Sequence, residues 1–149
     1  MSHKAIRDTL INHLISNLPV DIDAISDIVY DGQSLDGQLG KDKFLATYYA
    51  PVDAPRTAKD VQSAKQNDGF LQVSCYTKRN DTSGGVQNFD TVLLDLVDSI
   101  QAIFDQVNQI TYNGQEVSIT EVRANQLQYD DSYLKQDVTI DFIAYTARA

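Results

Sequence analysis

FDTVLLDLVDSIQAIFDQV, residues 89–107, carries the longest single period in the chain. Phe89, Val92, Leu93, Leu96, Val97, Ile100, Ile103, Phe104 and Val107 recur at three-and-four spacing, while Asp90, Asp95, Asp98, Gln101 and Asp105 fall on the opposite side. That spacing predicts one long helix over about 89–108, roughly 30 Å from end to end. An apolar stripe of such length must be covered along all of it, and a sheet or a second helix is what covers it.

Working outward, the residues behind this helix read as strands. Tyr112, Asn113, Gly114 and Gln115 form a hairpin signal, because Asn-Gly supplies the two positive-φ residues of a type I′ turn. This sets Tyr112 opposite Gln115 and Ile110 opposite Val117. The strand is expected to continue over 122–129, and a change of parity near Thr120 to Val122 points to a bulge. After an expected turn at Asp130, Asp131 and Ser132, residues 133–146 alternate. Leu134, Val138, Ile140, Phe142 and Ala144 point one way, and Lys135, Asp137, Thr139 and Asp141 point the other, toward water or a polar partner.

Ahead of the long helix, Ser2 can cap a first helix running to about Asn17, stopped by Pro19. His13 lies on its polar side and reads as a solvated histidine. Residues 27–30 suggest an edge strand, turned by Asp31-Gly32. A strand follows over 44–50, FLATYYA, which Pro51 is expected to end. Residues 69–78, GFLQVSCYTK, resume the alternation with Leu71, Val73 and Cys75 on one face. Two polar connections, about 52–68 and 79–88, carry few large apolar groups, and long segments of that kind in compact domains are usually either functional or disordered. The fold class expected is α+β: a mostly antiparallel sheet packed against one long helix plus an N-terminal helix, in a single domain over 1–149.

Composition narrows the function. The net charge of −9 and pI near 4.4 argue against a surface that grips nucleic-acid phosphates. No apolar run approaches the length of a bilayer crossing, and the first residues lack the apolar block of a secretory signal, so the protein is expected in the cytoplasm where it is made. The lone Cys75 cannot form an internal disulfide. HExxH, CxxC, GxSxG and GxGxxG are absent, and both histidines, His3 and His13, belong to the first helix. The expectation is a protein that is not an enzyme, with no catalytic, cofactor or metal residues. The candidate partner contacts are the cations in and beside the polar connections: Arg56, Lys59, Lys65, Lys78 and Arg79.

With Val29-Tyr30-Asp31-Gly32 ahead of the first full strand, GFLQVSCY opening the strand before the helix, and DVTIDFIAY closing the chain, the sequence resembles tail-terminator proteins of long-tailed bacteriophages from Lys4 to Tyr145. The resemblance implies a structural protein of the virion neck, assembled in the host cytoplasm. It would form a homo-oligomeric ring, commonly of six copies, on the last layer of the tail tube. Such a ring stops tube growth and joins the tube protein to the head–tail connector. Six copies would bring six times −9, or −54, and any of that charge facing the bore would repel the passing genome, so DNA would go through without specific binding. The alternatives are another neck or completion protein and, from a different class, a small α+β ligand-binding module with its groove between helix and sheet.

Overall fold

The computed structural model describes residues 3–38, 41–53, 65–78, 91–129 and 133–146. Two helices of nearly equal length lie on one face of a seven-stranded sheet. Helix α1 spans His3–Ser16 and helix α2 spans Thr91–Asp105. The expected stripe is the buried one in α2: Leu93, Leu96, Val97, Ile100 and Phe104 are each 4 % exposed or less. Each contributes about 1.5–3 kcal/mol in gross transfer terms, most of it offset by chain ordering. Val92 departs from the expectation and stands 52 % exposed. The helix is also shorter than its period. It ends at Asp105, where Val107 N–H donates to Phe104 O at 3.4 Å, and Asn108 O already accepts from Ile119 N–H at 2.9 Å. Pairing with the following strand thus captures the backbone before the apolar pattern runs out.

The strands are β1 Ile28–Val29, β2 Lys43–Asp53, β3 Lys65–Lys78, β4 Gln109–Tyr112, β5 Gln115–Ala124, β6 Gln128–Tyr129 and β7 Tyr133–Thr146. They pair in the order β1-β2-β3-β7-β5-β4, with β6 also on β7. All pairs are antiparallel except β1 with β2, so the sheet is mixed rather than wholly antiparallel. Under the helices lie Leu45, Leu71, Val73, Cys75, Val117, Val138, Ile140, Phe142 and Ala144, facing Ile6, Leu10 and Leu14 of α1. The hairpin register matches its sequence signal, with Tyr112 opposite Gln115 and φ of 50° at Asn113 and 81° at Gly114. The bulge falls between Ile119 and Glu121. The strand expected over 122–129 is broken, since β5 stops at Ala124, where Asn125 N–H bonds Asp137 O at 2.8 Å and Asn125 Nδ2 bonds Thr139 Oγ1 at 3.0 Å. The expected turn at 130–132 lies outside the described residues.

Pro51 does not end β2. Leu45 N–H donates toward β1, to Asp27 O at 2.8 Å, and Tyr49 N–H donates the same way, to Asp31 Oδ2 at 2.7 Å. By the alternation of a strand, the missing N–H of Pro51 lies on that same outer edge, where no partner strand is deprived of a bond. Opposite Pro51 stands Gly69, and a Cβ there would lie 2.3 Å from Ala50 O and 2.9 Å from Pro51 Cα. The glycine permits this close pairing, which carries β2 and β3 past the apolar pattern. The polar connection expected over 52–68 therefore shrinks: 52–53 and 65–68 are strand, and 54–64 lie outside the described residues.

Candidate interaction surfaces

Of the five cations singled out by sequence, Arg56, Lys59 and Arg79 lie outside the described residues. Lys65 is not in a loop: it is the first residue of β3, paired in register with Thr146. Lys78 is the last residue of the same strand and is exposed, with its N–H on Asp42 O at 2.6 Å. Thirteen steps of about 3.3 Å separate Lys65 from Lys78, a span of up to about 43 Å. The connections 54–64 and 79–90 thus leave the sheet at opposite ends of its central strand.

Among the described residues, the sheet face turned away from the helices is covered at one end. There Phe44 stacks on Tyr76 at 4.6 Å between ring centres, Tyr133 meets Phe44 edge-on at 5.4 Å, and the Tyr133 hydroxyl donates to Gln38 O and Lys41 O. Residues 31–38, with a 3-10 turn at Leu35–Gln38, and residues 41–42 thereby lie over this corner. Farther along the same face Tyr48 is 56 % exposed, its ring 6.4 Å from that of Phe70. Arg123 pairs with Asp141 and, at 3.5 Å, with Glu121. Thr139, expected to be wet, is 3 % exposed because its neighbours close over it and Asn125 bonds its hydroxyl.

The loop between α1 and β1 is held at many points. Ile22 N–H bonds Pro19 O at 3.0 Å, and Ile22 is 5 % exposed in the main core. The Asp23 carboxylate accepts Ile25 N–H at 2.7 Å and Ser26 N–H at 3.2 Å, bonds that hold its carboxyl below the ordinary value of 3.8. Asp21 pairs with Lys43, Asp27 with Lys41 at 3.3 Å, and Lys41 also donates to Ser26 O. The Tyr30 hydroxyl donates to Ala24 O at 2.7 Å, and burial raises its pKa. Sequence reading passed over this stretch because acids and short apolar residues alternate there without a clear period.

The groups with chemical potential are dispersed. Cys75 is fully buried, and burial pushes its thiol far above the ordinary range, so it is a core group. His13 is not solvated as expected. It is half-buried between the helices, its Nε2 2.9 Å from Ile103 O and its ring 5.3 Å from that of Phe104, so it closes a carbonyl in the last turn of α2. His3 sits at the other end of α1, its Nδ1 3.5 Å from the Tyr49 hydroxyl. Among the described residues no three His, Cys, Asp or Glu side chains gather as metal ligands, and no helix is long and apolar enough to cross a membrane.

No family model matches the chain, and no curated protein matches it. Twelve solved chains do match in fold. One of them, a protein without a descriptive name, superposes with a TM-score of 0.68 at 16 % identity, covering 97 % of this chain and 96 % of its own. At that identity the likeness is one of fold, an α+β layout shared over nearly the full length.

Proposed function

We propose that this chain is a tail-terminator-type structural protein. On this reading it forms a homo-oligomeric ring, six copies in the commonest case, that caps the tail tube of a long-tailed phage, stops its growth and joins it to the head connector. The reading rests on the sequence resemblance and is supported above all by one observation. The two long polar connections emerge at opposite ends of β3, with Arg56, Lys59 and Lys65 in or beside one and Lys78 and Arg79 beside the other. A cap must present two different faces, one to the tube and one to the connector, and a subunit that carries cations at both ends of its central strand, on a chain of net charge −9, suits that task. A ring built by one repeated heterologous contact needs no catalytic pocket, so the protein is proposed not to be an enzyme, to carry no cofactor, and to reside in the virion neck. Genomic DNA would traverse the ring without being held, since the −9 charge repels phosphate.

Electron microscopy of the purified protein mixed with tail tubes tests this directly, and rings at tube ends are expected. Charge reversal at one end, Lys59→Glu with Lys65→Glu, is expected to impair docking to one partner, and Lys78→Glu with Arg79→Glu docking to the other, with folding intact. A chain that stays single at high concentration and ignores tubes would overturn the reading.

A further inference from the structure

Asn113-Gly114 is the one Asn-Gly step in the sequence, and it forms the tip of the β4–β5 hairpin. Its φ angles, 50° and 81°, are those of the turn that Asn-Gly favours. The Asn113 side chain is exposed and makes no hydrogen bond among the described residues, whereas the amides of Asn17 and Asn125 donate to His13 O and Thr139 Oγ1. A Cβ placed at Gly114 would meet nothing within 4 Å, so the space beside the backbone nitrogen that follows Asn113 is open. That nitrogen is not part of the ladder, because the turn closes through the pair Tyr112 and Gln115.

The chemistry open to this pair is ring closure. The Gly114 nitrogen, on losing its proton, attacks Cγ of the Asn113 amide. The N–Cγ bond forms, the Cγ–Nδ2 bond breaks, and Nδ2 leaves as ammonia with a proton. Solvent water then opens the five-membered imide at either carbonyl, giving aspartate or isoaspartate. We infer that Asn113 is a site of spontaneous deamidation and isoaspartate formation in the folded protein. What opposes the reaction is the turn, since closure needs rotation about the Asn113 Cα–C bond, and the pairing of Tyr112 with Gln115 resists it. That pair is the last of a four-residue edge strand, and such ends open locally without unfolding of the rest. Isoaspartate routes the backbone through the side chain and lengthens a two-residue loop, so Tyr112 and Gln115 lose their register. The new carboxylate stands beside a hollow bounded by Lys4, Ala5 and Asp8, where Lys4 and Asp8 are already paired at 2.9 Å.

Purified wild type is held at neutral and mildly alkaline pH, both folded and in urea. It is followed by intact mass, by fragmentation of the peptide around residue 113, and by isoaspartate-specific enzymatic methylation. Asn113→Gly is the silent comparison, because Gly-Gly also suits the turn and has no side chain to close the ring. The expected result is modification at Asn113 in the folded chain, faster as pH rises, at a rate within about a hundredfold of the unfolded one, as local opening of a hairpin end requires. Greater protection would overturn the inference, because the reaction would then wait for unfolding of the whole domain, which slows it by about a thousandfold or more. Isoaspartate undiminished in Asn113→Gly would place the site elsewhere and overturn it too. Hydrogen exchange at the Gln115 amide should be faster in the modified fraction than in the unmodified one, and equal exchange would overturn the loss of register.

Discussion

Gly69→Ala tests how the sheet is built. The added methyl would stand 2.3 Å from Ala50 O, 2.9 Å from Pro51 Cα and 3.1 Å from Phe142 Cζ. The first two are backbone atoms of the paired strand and cannot swing aside. Relief requires β2 and β3 to part at Pro51, weakening the ladder on both sides, or β3 to shift against Phe142, its partner on β7. Overpacking of this kind costs about 2–3 kcal/mol. For a chain of this size each kcal/mol moves the melting temperature by about 2–4 °C, so a drop of roughly 5–10 °C is expected. Gly37→Ala is the matched control, because a Cβ there meets nothing within 4 Å, and it should leave the melting curve in place. Phe142→Leu in the Gly69→Ala background should not restore stability, since the severe contacts are with backbone. If Gly69→Ala melts within a degree or two of wild type, the close approach of β2 and β3 is wrong, and with it the account of how β2 runs through Pro51.

Three further outcomes are expected. Asp31→Ala removes the acceptor for Thr47 Oγ1 at 2.9 Å and Tyr49 N–H at 2.7 Å, and should cost about 1–2 kcal/mol while speeding hydrogen exchange at the Tyr49 amide. Asp23, held by amides below its ordinary 3.8, favours the folded state above that value, and this contribution fades as pH falls through 3.8 toward the folded pKa. The stability gap between wild type and Asp23→Ala should therefore be widest near neutrality and narrow in acid, and a gap that widens on acidification would reverse the assignment. Cys75, the only thiol, should resist disulfide reagents in the native state and react only on unfolding, and prompt labelling of the folded protein would contradict its burial.

The parts of the fold legible in sequence are those where one interaction dominates. The α2 stripe, the Asn113-Gly114 turn, the bulge after Ile119 and the inner face of β7 follow from burial periodicity or from a required φ, and a local window contains that information. The misreadings came where a distant partner decides. Pro51 reads as a strand end until it is known that its nitrogen faces an open edge. Lys65 reads as loop because KQND has no apolar alternation, yet backbone pairing to β2 and β7 extends the strand regardless of side chains. His13 reads as solvated because the carbonyl it meets is contributed by α2, 90 positions away. Of the candidate contacts, the residue types and their division between the two ends of one strand were visible, but the place of Lys65 inside that strand was not, because it depends on where β3 begins.

The edges of the sheet bear on how such a chain would assemble. An open edge invites strand addition, and repeated strand addition makes open-ended growth. On the β2 side, β1 pairs only with Leu45 and Ala46, then the Asp31 carboxylate occupies Tyr49 N–H and Pro51 offers no donor at all. On the other side β4 is four residues long. The bond from Ile119 N–H to Asn108 O sets the alternation there, so only Gln109 and Thr111 turn backbone groups outward. Neither edge offers a long run of free donors and acceptors. A protein proposed to stop a polymer must not propagate as one, and a ring closes only where a single repeated contact sets the rotation between neighbours. On the β2 side the block belongs to an ordered entry to the sheet: bonds to Asp21, Asp23 and Asp27 fix the loop ahead of β1, and Asp31 then occupies the Tyr49 amide.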